Sequence, residues 1–188
     1  MGTASSLAGL WVPRGVGFFQ AVFGSREPAF DAVLTERGRQ ARAGFTIKQH
    51  SQAHCVAVPP PLLMLYGSID EIEILKDRVL IHSDWMDAER VIYTDGRTMP
   101  DSTEPTVNGY SVGRWSGDAL FVETAHFTEN NSGYTSGVAT GLEKNLAERF
   151  ELTEDRSGLT YSFTLEDPEY LAEPVVGQTR WDFRPDLT

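Results

Sequence analysis

Residues 110–127 read YSVGRWSGDALFVETAHF. Gly113-Arg114-Trp115-Ser116-Gly117-Asp118 forms a turn, and the run after it is apolar at both parities. Ala119, Phe121, Ala125 and Phe127 share one side, and Leu120 and Val122 share the other. Strand side chains alternate between faces, so a strand apolar on both is expected to be covered on both. Glu123 and His126 lie inside that run, where an unpaired charge is costly. The stretch therefore predicts a central strand beside an enclosed space that contains polar groups.

The same period continues in both directions. Residues 70–76 and 78–85 predict a hairpin around Lys76-Asp77, and residues 90–94 a third strand ended by the turn dipeptide Asp95-Gly96. A proline-bearing loop, 98–108, leads to residues 110–114. After the opening strand, residues 129–141 read as a polar loop, and 146–154, 158–166 and 176–184 as three more strands joined by short turns. Before the strands, residues 28–43 predict one helix, with Phe30, Val33 and Leu34 on its apolar face, Pro28 in its first turn and Gly44 at its end. Residues 7–12 read as a short strand or plug, and 49–67 as a long excursion through Pro59-Pro60-Pro61. The expected fold is mainly β, an antiparallel up-and-down barrel of about eight strands with one N-terminal helix, since closure removes both sheet edges. Residues 1–188 are expected to form a single domain, with 1–68 packed on the barrel.

Composition restricts the function. The chain has 188 residues, 40% of them hydrophobic, with four Trp and ten Phe, which argues against general disorder. Its net charge is −11 and it has no Lys/Arg cluster, so nucleic acid and anionic membrane surfaces are disfavoured partners. The one cysteine, Cys55, fits a reducing compartment. Neither a secretion signal nor a membrane-length apolar window is read, so a cytoplasmic location is expected. Apolar residues near 18–23 could meet a second copy in a homodimer.

Four blocks carry a resemblance: VIYTDGR (91–97), GYSVGRWSGDALFVETAHF (109–127), EKNLAERFELTED (143–155) and LTYSFTLEDP (159–168). Together they resemble a widespread bacterial family of small β-rich proteins with YTDGR, G-x-S-x-G-R/K-W-x-G-D-x-L-x-V-x-T, L-x-x-x-E-R-F and T-x-E-D-P elements. The likeness covers roughly residues 63–183 and implies a lipocalin-like (calycin-like) barrel, without implying a substrate. Many relatives begin with a signal sequence, and many follow the cysteine with Pro-Gly-x-Pro, whereas residues 56–62 here read VAVPPPL. His126 stands where relatives often have Asn or Gly.

Several residues are candidates for chemistry. His126, on a strand covered on both faces, could be a general base or a neutral core histidine. Glu123 points the opposite way and either pairs with Arg114, Arg149 or Arg180 or titrates abnormally. His82 shares a face with Leu80 and Asp84, inward or outward. Tyr93 could donate to a carbonyl, and Arg114 could stabilise an oxyanion or stack on an aromatic ring. Trp85, Phe121, Tyr161 and Tyr66 offer aromatic surface to a bound molecule. His50, His54 and Cys55 have partial metal-ligand spacing, but the glycine and prolines around them argue for a loop, and a buried inert thiol is expected.

No cofactor motif is present. The sequence thus points to a cofactor-independent acid–base enzyme of isomerase, lyase, cyclase or hydrolase type acting on a small hydrophobic molecule inside the barrel. The alternative is a carrier or sensor of such a molecule.

Overall fold

The computed structural model describes residues 6–15, 17–24, 30–135 and 137–187. Strand β1 (Gly9–Pro13) is followed by helices α1 (Gly17–Phe23), α2 (Phe30–Val33) and α3 (Glu36–Gly44). Three 3-10 turns (Ile47–Gln49, Ser51–His54, Leu63–Leu65) lead into β2 (Asp70–Ile74), β3 (Arg78–Ser83) and β4 (Ala88–Tyr93). Then come β5 (Tyr110–Ser116), β6 (Ala119–Ala125), β7 (Asn130–Thr135), β8 (Val138–Thr140), β9 (Asn145–Leu152), β10 (Gly158–Glu166) and β11 (Val175–Phe183). The chain is mainly β, and nine strands close into a barrel in the order β1-β11-β10-β9-β6-β5-β4-β3-β2.

Two features of the barrel depart from the expectation. Residues 7–12 supply a ninth strand: β1 pairs with β11 on one side and β2 on the other, closing the cylinder. The barrel is also mixed, because β4 and β5 run parallel through Ile92↔Ser111 and Tyr93↔Val112. The connection 94–109 causes this. It carries the chain back along the outside of the barrel, where Asn108 Nδ2 donates to the Glu89 carbonyl, so β5 starts at the same end as β4.

Local chemistry accounts for further corrections. The helix expected over 28–43 is split, because Thr35 is an extended N-cap whose Oγ1 accepts from Gly38 N, and Leu34 bridges to Leu171. Pro28 lies outside the described residues, as do the side chains of Phe19, Phe23 and Phe30. Phe18 is buried at 2% exposure. The loop expected over 129–141 forms the β7–β8 hairpin.

Strand β6 is covered on one face rather than two. Leu120, Val122 and Thr124 are buried, whereas Phe121 is 42% exposed and Glu123 faces solvent. An apolar residue survives on the wet face because Arg149, its register partner on β9, lays its guanidinium 5.3 Å from the Phe121 ring. His126 has left-handed backbone (φ 59°), which ends the strand and lets Phe127 turn back into the core at 1% exposure.

The two ends of the barrel differ. Turns 75–77, 117–118 and 153–157 close one end tightly. The other end receives the longer connections and is capped by α1, the β7–β8 hairpin and residues 62–65, all four of them buried. Below the cap the centre is aromatic. The Phe150 ring lies 4.9 Å from Tyr161 and 5.9 Å, edge-on, from Trp181, while Tyr161 lies 5.7 Å from Phe163. Burying side chains of this size contributes roughly 1.5–3 kcal/mol each.

Candidate functional site

Inside the barrel, one charged cluster sits at the inward parity of five consecutive strands, β4, β5, β6, β9 and β10. Arg90 on β4 lies between Ala88 and Ile92, and Glu148 on β9 lies between Leu146 and Phe150. Both side chains are essentially without solvent contact, at 1% and 0% exposure. Arg90 Nη1 donates to Glu148 Oε1 at 2.8 Å, and its Nη2 pairs with Oε2. Nη2 also donates to Thr124 Oγ1 (2.9 Å) and Ser111 Oγ (3.3 Å), and Tyr161 donates its hydroxyl proton to Glu148 Oε1 (2.8 Å). Burial works against the Arg90 charge, but the Glu148 carboxylate outweighs it and holds the guanidinium above its ordinary pKa. Burial likewise pushes the Tyr161 hydroxyl well above its ordinary range. This cluster is nearly saturated with partners, so it works as a fixed polar floor.

A second cluster, directly under the cap, is less satisfied. Lys144, one residue before β9, is 1% exposed and donates to the Pro60 carbonyl of the cap. Its Nζ also lies 4.1 Å from the Phe127 ring centroid and 5.2 Å from that of Tyr134. Tyr134 donates to Asp167 Oδ2 at 2.7 Å, and the Gly141 backbone N–H donates to the same oxygen at 2.9 Å. Asp167 Oδ1 and Thr140 Oγ1 are buried and have no hydrogen-bond partner among the described residues. Burial lowers the Lys144 pKa from 10.5 to about 7, against the pull of Asp167 and Glu148. Burial raises that of Asp167. An amine and a carboxyl that are each pushed toward neutrality, with spare hydrogen-bonding capacity, form a site able to hold a polar group and exchange a proton with it.

The same end carries Asp70, at 0% exposure, which accepts from Ser68 Oγ (3.3 Å) and leaves Oδ2 without a partner. Burial raises its pKa from 3.8 to about 7. Tyr66 and Trp85 stack beside it with centroids 4.6 Å apart. Of the aromatic candidates, Tyr66 and Trp85 are thus brought together, and Tyr161 joins the Arg90–Glu148 floor.

The catalytic candidates are dispersed instead. His82 is on the outer face of β3, its Nδ1 3.4 Å from Glu89, because Val79, Ile81 and Ser83 take the inner parity. Tyr93 is also at outer parity, with the Arg97 guanidinium 3.8 Å from its ring and Tyr110 alongside. Glu123 pairs in solvent with Arg114 at 3.0 Å, and Phe121 sits on that same outer face. His126, past the end of β6, donates from Nε2 to the Pro100 carbonyl (2.9 Å).

The His50-His54-Cys55 set does not converge. His50 Nδ1 accepts from Gln52 N, His54 Nε2 donates to the Lys48 carbonyl, and no grouping of metal-ligating side chains occurs among the described residues. Cys55 is exposed rather than buried, since its left-handed position after the 3-10 turn (φ 55°) aims it outward.

Reasoning from the sequence passed over Arg90, Glu148, Lys144, Asp167 and Tyr134. Period-two parity was the available signal for Arg90 and Glu148, each of which recurs at the spacing of buried neighbours. No family model matches this chain, and no curated protein is similar to it at a significant level.

Proposed function

We propose that the barrel is a carrier or sensor that binds one small, mostly apolar molecule at its capped end. A polar group of the guest fits between Lys144 and Asp167, its body lies against Tyr66 and Trp85, and residues 62–65 move aside to admit it. One observation carries this reading: Asp167 Oδ1 is buried without a hydrogen-bond partner, within electrostatic reach of the buried Lys144, whose Nζ donates to the Pro60 carbonyl. Buried polar atoms are nearly always satisfied, so an exception marks a place where a partner from outside the chain would be stabilising. The lipocalin-like resemblance of the four sequence blocks points the same way.

The neutral fluorophore N-phenyl-1-naphthylamine tests it, since it joins an apolar body to one N–H donor. Saturable binding of one molecule per chain is expected. Asp167→Asn should weaken it roughly tenfold, the loss of one hydrogen bond to a charged group. In that variant the amide oxygen stays with Tyr134 and Gly141, so an N–H replaces the Oδ1 acceptor. Non-saturable uptake, or equal affinity in the folded variant, would overturn the proposal.

A second reading, an acid–base enzyme, is favoured by the Lys144 pKa of about 7, which makes part of the amine a base at neutral pH. Asp167 would be its acid partner. Under this reading a variant that still binds the guest loses turnover.

A further inference from the structure

We infer that Lys144 captures a small aldehyde or ketone as an imine, with Asp167 moving the protons. The inference rests on the proposed binding site and names the class of guest.

Charge decides the class. A carboxylate guest would add a negative charge to a buried site that already holds the Glu148 carboxylate, while Arg90 is already committed to Glu148 through both terminal nitrogens. Like charges confined in a buried site repel strongly. A carbonyl compound adds no charge, offers an acceptor to the amine, and presents a carbon the amine can attack. Burial keeps the lone pair available, which is how enclosed lysines become nucleophiles.

The steps balance without an external oxidant or reductant. The Lys144 nitrogen lone pair forms a C–N bond as the carbonyl π pair moves to oxygen, which takes a proton from the Asp167 carboxyl. The nitrogen returns a proton to Asp167. Protonation of the hydroxyl by Asp167 then releases water as the nitrogen lone pair closes the C=N bond. The protonated imine can return its proton to the Asp167 carboxylate, so that amine and carbonyl compound give imine and one water. When protonated, the imine places its charge against the Phe127 and Tyr134 rings that already flank Nζ. Capture also removes the Lys144 donor from the Pro60 carbonyl, which loosens the cap from the barrel.

The chain has three lysines, and Lys48 and Lys76 are exposed, so the chemistry can be mapped cleanly. The full chain is incubated with benzaldehyde and sodium cyanoborohydride near neutral pH, and benzylated lysines are located by peptide mass. Lys144 should be labelled about tenfold faster than the exposed Lys48 or Lys76. Asp167→Asn should slow labelling of Lys144 roughly tenfold, the low end for one positioned proton donor. Lys144→Arg should leave only the slow surface reaction. Labelling of Lys144 no faster than the surface lysines, or only in urea, would overturn the inference. If the naphthylamine still binds in that case, the binding site stands without the imine; if neither occurs, both readings fall.

Discussion

Arg90 and Glu148 show why a buried charge pair is stable only as a pair. Each ion has lost its water, and the remaining stabilisation comes from two guanidinium–carboxylate contacts plus Ser111, Thr124 and Tyr161. Arg90→Met leaves Glu148 uncompensated and should cost about 3–5 kcal/mol in urea unfolding. Adding Glu148→Leu should recover most of that loss; a double variant as weak as the single would mean the pair is not what is at stake. Asp70 and Lys144 act on pH dependence with opposite signs. Asp70 holds its proton up to about pH 7 when folded but only to 3.8 otherwise, so between those values the folded state binds more protons and stability falls as pH rises. Lys144 gives up its proton near pH 7 when folded but near 10.5 unfolded, so there the unfolded state binds more and stability rises with pH. The two together place a minimum near neutrality, with limbs of up to about 1.4 kcal/mol per pH unit. Asp70→Asn should flatten the acid limb and Lys144→Met the alkaline one in chemical denaturation across pH. These residues were legible in principle. Glu148 falls at the parity of Leu146 and Phe150, and Arg90 at that of Ala88 and Ile92, but attention to histidines, the usual proton carriers, led instead to His82 and His126. What parity could not supply was the left-handed turn at His126 and the convergence of Lys144 with Asp167 and Tyr134 from three separate segments.

At the scale of elements, the weakest join in the barrel is the parallel seam between β4 and β5, where only two residue pairs are in register. Gly109, just before β5, has φ +69° and packs against β6. A Cβ there would lie 2.7 Å from Thr124 Cγ2 and 2.8 Å from the Ala125 carbonyl. Gly109→Ala therefore combines left-handed strain with a clash against backbone and should cost about 2–4 kcal/mol in thermal or urea unfolding. Gly96→Ala is the control, because Gly96 also has positive φ (+86°) but no atom within 4 Å of the added methyl, leaving strain of about 1–2 kcal/mol. Equal losses in both variants would show that crowding of β5's start against β6 is unimportant. The seam was invisible in the sequence, since the direction of β5 depends on the route of residues 94–109 and not on any pattern within the strands. Strands β9, β10 and β11, by contrast, lie within two residues of their expected bounds, because their alternation and their turns agree. The helix over 28–43 was misread where Thr35 competes: its hydroxyl caps a new helix and breaks the old one. The opening strand was misread because an apolar side chain on the wet face resembles a buried one until Arg149 is seen over Phe121.

For the whole molecule the governing quantity is the excess of acid, 27 Asp and Glu against 16 Lys and Arg. Every arginine among the described residues already has a carboxylate within ion-pair distance, from Arg14 with Asp182 to Arg184 with Asp186. The surplus carboxylates are therefore left to repel one another, as along the outer face of β2, where Glu71 and Glu73 both face solvent. Salt acts on both populations. It weakens the exposed pairs, each worth only about 0–1 kcal/mol, and it screens the long-range repulsion, whose reach falls to about 10 Å at ~0.1 M. Because repulsion among surplus charges sums over the surface while each pair is local and already weak, screening should win. The unfolding midpoint is expected to rise by a few degrees between low salt and ~0.15 M sodium chloride. Glu73→Lys replaces one repelling charge with an attracting one beside Glu71, so it should raise the midpoint at low salt and make the response to salt shallower. A midpoint that falls with salt, or a Glu73→Lys variant with an unchanged slope, would mean that the arginine pairs and not the surplus acids set the electrostatic stability of the barrel.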